Sequence, residues 1–487
     1  MTDSDLTEGR RRHYQELLDS GGLPTRFERT AQAAELHEQF DHLGAGEETD
    51  TEVTVAGRII LLRSFGKLIF ATISERSGRI QLFVDRKVLG AEGFAGFERL
   101  QLGDWVGATG EVITTKKGEL SVRVTDFTIL SKSLHPLPEK WHGLSDIETR
   151  SRRRYLDLIV NEDARRVALA RSSVISELRC QFEERGYIEV ETPILAIEAT
   201  GATARPFHTH HNALGIDMQL RIATELHLKR LIVGGLERVF EIGRVFRNEG
   251  VDATHNPEFT MLESYEAYAD FNDIMTLTEA VISAVAEAAV GGTKITYQGT
   301  EIDLTPPYRR APMLDLVSET LGREVSFDID LEELRSLASS QGVDVNHQWG
   351  HGRLIYEIFD EVVESTLVQP IFVTHYPTEV SPLARTIPGQ PELVERFELF
   401  ISGAEYANAF SELADPIDQR RRFEAQSASR DAGDDEAHVI DEDFLLALEY
   451  GMPPTGGLGI GVDRLVMLLT DSAHIRDVIL FPTMRPE

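Results

Sequence analysis

Two stretches of this 487-residue chain carry residue types suited to holding a nucleotide. In the first, Phe246-Arg247-Asn248-Glu249 precedes a short loop and His255-Asn256-Pro257-Glu258-Phe259. In the second, Gly456-Gly457-Leu458-Gly459-Ile460-Gly461 runs into Val462-Asp463-Arg464. Arg247 and Glu249 can grip a nucleotide from one side and Phe259 offers an aromatic face. Arg464 is a second cation, preceded by glycines that let backbone approach closely. The set reads as an ATP site built without a P-loop.

A second chemistry sits near the C-terminal end. Glu398 and Glu405 flank Ile401-Ser402-Gly403-Ala404, which reads as a turn between two strands. Carboxylates facing each other across a hairpin suit Mg2+, a hard ion that takes oxygen ligands and shares them with nucleotide phosphates.

These residues need elements to position them. From Val53 the pattern is β: Val53, Val55 and Gly57 alternate, and further short runs lie at 59–62, 68–73, 80–84, 106–112 and 120–129, with turn signals between them. Five short strands in this span predict a small barrel of the OB type, whose open face suits oligonucleotides. Beyond the prolines Pro136 and Pro138 the apolar residues Val174, Ile175, Leu178 and Phe182 recur at helical spacing and Gly186 closes the helix. Later strands are separated by hairpin-length gaps, which predicts an antiparallel sheet flanked by helices. The expected organisation is α+β: a helical segment at 1–50, the barrel at 51–131, a linker at 132–154, and a catalytic domain at 155–487 with an insertion at about 300–370.

Composition sets limits. A single cysteine, Cys180, excludes an intramolecular disulfide and a cysteine-cluster metal site. There is no long apolar run, and the acidic start Met1-Thr2-Asp3-Ser4-Asp5 is unlike a secretory signal, so a cytoplasmic protein without membrane attachment is expected. The formal charge of −32 is weak evidence against RNA, because net charge does not describe every patch.

Several longer runs resemble one family over nearly the whole chain. Pro138-Glu139-Lys140-Trp141-His142-Gly143-Leu144, Arg154-Tyr155-Leu156-Asp157-Leu158, Ala204-Arg205-Pro206-Phe207, His210-His211-Asn212-Ala213-Leu214, Ser381-Pro382-Leu383-Ala384 and Phe481-Pro482-Thr483-Met484-Arg485-Pro486 are similar to runs of the class II lysyl-tRNA synthetases. The three class II signatures also stand in order. The resemblance implies a lysine–tRNA ligase, which activates lysine with ATP and passes it to the 3′ end of lysine tRNA.

No protein nucleophile is needed for that reaction; positioning and charge neutralisation suffice. Arg247 is the candidate to bridge the amino-acid carboxylate and the α-phosphate. The resemblance implies that Phe259 and Arg464 sandwich adenine, that Glu249 accepts from its exocyclic amine, that Arg464 reaches the γ-phosphate, and that His255 assists in the motif 2 loop. Many class II enzymes carry an arginine where this chain has Thr254, so loop contacts to pyrophosphate are not implied. Glu398 and Glu405 match the family's Mg2+ pair, and Glu398 also its ATP contacts. For lysine, the resemblance implies Glu412 and Tyr265 at the side-chain ammonium, Glu225 and Glu263 near the α-ammonium, Phe410 over the aliphatic stem, the Gly201 carbonyl, and Asn408 at the carboxylate. A buried ammonium needs carboxylate partners, so an acidic pocket favours lysine over aspartate.

In the barrel, Phe70 and Phe83 alternate with polar neighbours; Phe70 is read as a stacking face for unpaired bases and Phe83 as core. Arg63, Gln81 and Glu119 can bond base edges, and with Phe70 they match the family's anticodon contacts. Cys180 and Pro193 fall in the motif 1 segment, which implies a homodimer. Two rivals are a relative that attaches lysine to a protein and a non-catalytic nucleotide-binding regulator. The barrel argues against the first, and the presence of Arg247, Glu398 and Arg464 against the second.

Overall fold

The computed structural model describes residues 3–138, 144–198, 200–202, 204–431 and 440–486. Residues 139–143 of the run beginning at Pro138 therefore lie outside the described residues. The chain divides into two compact units, Met1–Ser145 and Asp146–Glu487.

In the first unit, α1 (Asp3–Asp19) and α2 (Ala33–Phe40) precede β1 (Glu48–Phe65), β2 (Leu68–Ser74), β3 (Arg79–Asp85), α3 (Arg86–Glu98), β4 (Trp105–Thr114) and β5 (Leu120–Ser131). The strands close into a barrel in the order β1-β2-β3-β5-β4. Pairing is antiparallel except between β3 and β5. Val53, Val55 and Ile59 of β1, Ile69, Ala71 and Ile73 of β2, and Ile80, Leu82 and Val84 of β3 are buried, so every second side chain enters the core. Gly57 continues that row where a Cβ would lie 2.9 Å from the Ser74 carbonyl oxygen. Phe83 is not core as expected. Leu82 and Val84 fill the barrel on either side of it, and Phe83 is half-buried opposite Phe70 on the other face. The two rings lie 5.3 Å apart, and exposed Phe65 lies 6.1 Å from Phe70. At the barrel's end, Lys132 donates to Asp104 Oδ2 at 2.6 Å and the Ser133 amide to Oδ1 at 2.9 Å. The first residues of the expected linker are thus bound into the barrel.

The second unit begins with α4 (Ile147–Arg152), α5 (Arg154–Val160), α6 (Glu162–Glu184), β6 (Ile188–Glu189), β7 (Leu195–Ala196), β8 (His208–His211), β9 (Ile216–Leu220) and α7 (Glu225–Val233). There follow β10 (Arg238–Phe246), β11 (Glu258–Ala267), α8 (Phe271–Val290), β12 (Lys294–Tyr297), β13 (Thr300–Asp303), β14 (Arg309–Pro312), α9 (Met313–Leu321), α10 (Leu331–Ser340) and α11 (His351–Val362). The unit closes with β15 (Ile371–Pro377), β16 (Thr386–Ile387), β17 (Gln390–Ile401), β18 (Ala404–Ser411), α12 (Pro416–Asp431), α13 (Glu442–Glu449), β19 (Thr455–Gly461), α14 (Val462–Thr470) and α15 (Ile475–Val478).

The main sheet runs β14-β15-β17-β18-β19-β11-β10-β6, with β16 beside β17. It is antiparallel apart from the outer pairs β6–β10 and β14–β15. Because β14 belongs to this sheet, the segment expected as an insertion is in part an edge of the catalytic domain. Its helices α9 and α11 pack their own core, Met313, Val317, Leu354 and Ile358 with Val373 and Val394. The largest core joins Val174, Leu178 and Phe182 of α6 to Ile282 and Val285 of α8 and to Leu465 and Leu468 of α14. Asp270 caps α8 through the Asn272 and Asp273 amides, and Gly291 ends it at φ +80°. The run beginning at Arg154 is tied to the segment just before Phe481: Arg154 donates to the carbonyls of Arg476 at 2.5 Å and Leu480 at 3.1 Å.

Candidate active site

One cavity of about 530 Å³ is lined from β11, β17, β18 and β19, from the first turns of α7 and α14, and from the loop after β10. Gly201, Glu225, Arg247, Glu249, His255, Phe259, Glu263, Tyr265, Glu398, Glu405, Asn408, Phe410, Glu412 and Arg464 all line it. The sheet order explains the meeting, since β18, β19 and β11 are neighbours although residues 268–403 separate β11 from β18 in sequence.

At the end lined by Arg247 and Arg464, Arg247 follows the last residue of β10 and its amide donates to the Pro257 carbonyl at 2.9 Å. This bond closes the loop between β10 and β11. The guanidinium lies 5.2 Å from the Phe259 ring centroid. Burial lowers the Arg247 pKa; Glu249, Glu405 and Glu263 oppose that shift and Arg464 adds to it. An arginine stays charged in any case, so the cation is held against its desolvation by a ring of carboxylates. Arg464, on the first turn of α14, donates from Nη1 to the Glu405 carbonyl at 2.7 Å. Its neighbour Asp463 accepts from the Thr260 amide and from Arg171 of α6, each at 2.6 Å. That carboxylate braces the two motifs against one helix.

His255 is tied inside its own loop. Its Nδ1 stands 2.8 Å from Asp252 Oδ2 and its amide donates to Oδ1 at 2.7 Å. Burial would raise the Asp252 pKa, but the bonds from His255 and Thr254 bring it to about 2. Glu249 is exposed on the same loop.

The Ser402-Gly403 turn, with φ of 52° and 70°, joins the paired residues Ile401 and Ala404 and places Glu398 and Glu405 on adjacent strands. Glu398 is buried, and its Oε1 accepts from Arg396 Nη2 at 2.6 Å and its Oε2 from the Tyr376 hydroxyl at 2.8 Å. Burial pushes its pKa to about 7, Arg396 works against the shift, and the charge of Glu405 adds to it. A buried carboxylate held up by a neighbouring carboxylate in a partly dry site suits a divalent cation shared with phosphates. Among the described residues no cluster of three or more such side chains is grouped for a metal, so phosphate oxygens or water would have to complete the shell.

The other end of the cavity is acidic and aromatic. Glu263 on β11 accepts from the Thr224 amide at 3.0 Å through Oε1, while its Oε2 is buried with no hydrogen-bond partner. Burial and the nearby Glu225 charge raise its pKa to about 7. Glu412 is also buried, with Oε1 unpartnered and Oε2 in ion-pair contact with Lys229. Burial pushes its carboxyl up and the Lys229 ammonium opposes the push. Gly457 has no room for a side chain: a Cβ there would come 2.6 Å from Tyr265 Cε1 and closer still to Glu412 Oε1. Gly201 is buried at φ +90°, a backbone conformation that favours glycine.

Lys229 and Arg396 escaped the sequence reading. Lys229 stands four residues after Glu225, a spacing that signals a helical ion pair. Arg396 stands two residues before Glu398, hence on the same strand face. In the barrel, Arg63 and Glu119 are exposed, Phe70 is half-buried, and Gln81 Nε2 donates to Ser121 Oγ at 2.9 Å.

The comparisons agree with this geometry. The family described as tRNA synthetases class II (D, K and N) matches residues 146–485, and the OB-fold nucleic acid binding domain matches residues 53–130. A lysine–tRNA ligase of Leuconostoc mesenteroides is 56% identical over 464 positions, covering 95% of this chain and 94% of that protein. One of Enterococcus faecalis is 53% identical, covering 98% and 96%. One of Nostoc punctiforme is 53% identical, covering 100% and 89%. With an OB barrel, a cavity on an antiparallel sheet and relatives matching nearly end to end, this chain belongs to the class II tRNA synthetases of the aspartate, lysine and asparagine group, within the lysine–tRNA ligase family.

Proposed function

We propose that the cavity carries out both steps of a lysine–tRNA ligase. The lysine carboxylate attacks the α-phosphorus of ATP, pyrophosphate leaves, and the lysyl group passes from the adenylate to a ribose hydroxyl at the 3′ end of lysine tRNA. The observation that carries this reading is the lining of one continuous cavity. Arg247 and Arg464 line it together with the buried carboxylates Glu225, Glu263 and Glu412.

Arg247 holds the lysine carboxylate and an α-phosphate oxygen together and offsets charge as it builds there. Phe259 and Arg464 enclose the adenine, Glu249 accepts from its amine, and His255 steadies the loop around them. Asn408 donates to the carboxylate and the Gly201 carbonyl accepts from the α-ammonium. Glu263, with its unpartnered oxygen, and Glu225 answer the α-ammonium, and Glu412 and Tyr265 answer the side-chain ammonium. Phe410 covers the stem. Glu398 and Glu405 would hold Mg2+, which when bound screens phosphate charge and orients the triphosphate.

In the barrel, Arg63, Phe70, Gln81 and Glu119 read the anticodon of lysine tRNA. A homodimer through the motif 1 region is supported by the exposed apolar side chains Ile188, Ile194, Leu195, Ile197, Leu214 and Ile216. No described helix is long and apolar enough to cross a membrane, and substrates such as tRNA and ATP suit a cytoplasmic place. The test is ATP–pyrophosphate exchange. Exchange that needs lysine, with charging of lysine tRNA, is expected; exchange driven by aspartate, or by no amino acid, overturns the assignment.

A further inference from the structure

Lys229 is fully buried beneath the carboxylate end of the cavity and is not among the residues lining it. Its Nζ lies 2.5 Å from Glu225 Oε1 and in ion-pair contact with Glu412 Oε2. The Phe410 and Tyr265 rings stand 5.3 Å and 5.9 Å away. A protein ammonium therefore bridges Glu412, assigned to the substrate's side-chain ammonium, and Glu225, assigned to its α-ammonium. The i, i+4 spacing on α7 fixes it there, and its other neighbours are aromatic.

Charge decides what this cation does. Glu225, Glu263 and Glu412 bring three carboxylates to one buried region, each of which counts as a negative charge when it pairs with an ammonium. Lysine brings two ammonium groups, its carboxylate being matched by Arg247. One carboxylate is left over, and an unpaired buried charge is costly. We infer that Lys229 is a positioning and specificity residue, a resident ammonium that cancels one of the three pocket carboxylates and turns Glu225 and Glu412 to receive a substrate with two ammonium groups. The unpartnered Glu412 Oε1 is the acceptor this arrangement leaves for the substrate. Burial alone would lower the Lys229 pKa, but Glu225 and Glu412 raise it above its ordinary value, so the group remains charged.

The inference rests on the reading that this pocket holds lysine, and a charge-reversal experiment separates the two. In Glu412→Gln the two remaining carboxylates face three ammonium groups, an excess that is relieved only when a buried ammonium gives up its proton, at a cost to lysine binding. Adding Lys229→Met restores the balance. The KM for lysine in ATP–pyrophosphate exchange is expected to fall roughly tenfold from Glu412→Gln to the double variant, with the KM for ATP unchanged. A lysine that merely fills space predicts the reverse order. If Glu412→Gln alone is unstable, recovery of a folded, lysine-responsive enzyme in the double variant supports the inference equally. A double variant that is no better than Glu412→Gln, or does not fold, overturns it. Lack of lysine-dependent exchange in the unaltered enzyme would instead sink the pocket assignment, whereas a normal response there with no recovery in the double variant removes only the role of Lys229.

Discussion

Arg396 donates from Nε to Oδ1 of Asn408 at 3.1 Å, across the β17–β18 pair. Since the amide oxygen is engaged, the amide nitrogen is the end left for a substrate carboxylate. The same guanidinium holds Glu398 and packs 4.5 Å from the Tyr376 ring centroid, so one cation orients both the residue proposed to meet the amino acid and one proposed to hold Mg2+.

Arg396→Met is therefore expected to raise the KM for lysine and the Mg2+ concentration needed for half-maximal exchange together. A hydrogen bond to a charged group is worth about 1.5–3 kcal/mol, so each effect should be of order tenfold to a hundredfold. Thermal unfolding should first show that the variant folds. A folded variant with unchanged lysine and Mg2+ dependence would refute the joint role.

Lysine binding should depend on pH through Glu263. Its pKa in the empty pocket is raised to about 7 by burial and by Glu225, and the form that pairs with an ammonium is the carboxylate. Below that pH a proton must leave before lysine binds. Affinity should thus rise as pH increases toward neutrality, by up to about tenfold per pH unit, and level off above it. In Glu263→Gln the slope should flatten. Calorimetric titration at pH 6 to 8 checks this, and an equally steep profile in the variant would disprove it.

Gly457→Ala places a methyl group against Tyr265 and Glu412. Overpacking of this kind costs about 1–3 kcal/mol, concentrated where lysine would lie. Lysine-dependent exchange should fall at least about tenfold while ATP binding persists; equal loss of both would mean a general collapse of β19.

Arg247→Lys keeps the charge but loses the planar fork. Loss of one donor aimed at developing charge costs about 10²–10³ in kcat, so exchange should drop by that order while lysine binding changes less. Single-turnover measurement of adenylate formation separates the two, and near-normal kcat would rule out bridging by the guanidinium.

Phe70→Ala should weaken tRNA charging and leave pyrophosphate exchange alone. Base stacking on an aromatic is worth about 1–3 kcal/mol, so the KM for lysine tRNA should rise tenfold or more. Because Phe83 packs 5.3 Å from Phe70 on the same face, Phe83→Ala should show a weaker effect of the same kind. An unchanged tRNA KM in both variants would remove this face from the anticodon contact.

What was legible in the chain follows from the range of the physics involved. Alternation along Val53, Val55 and Ile59 is local and foretells a strand, and a Ser-Gly pair foretells the turn that brings Glu398 near Glu405. Phe83 was misjudged because its own apolar character outweighed the alternation of Ile80, Leu82 and Val84, which already puts it on the opposite face; what one strand does not contain is the pairing that sets it opposite Phe70. Lys229 was missed for a similar reason. A lone lysine on an amphipathic helix reads as solvent-facing, and its second partner, Glu412, arrives from a strand far along the chain. The Asp252 knot around His255 is all local, but its loop has no periodicity to reveal it.

The neighbouring order β18-β19-β11 also bears on how the protein is born. A growing chain that has emerged through Glu412 already contains Glu225, Glu263 and Lys229, yet Gly457 and the strand that separates β11 from β18 are still unmade. Until β19 slides between them, these acids have no common wall to face, and the chain has no means of gripping its amino acid. The wall that these acids share is thus completed by the last strand of the sheet, which acts as its keystone.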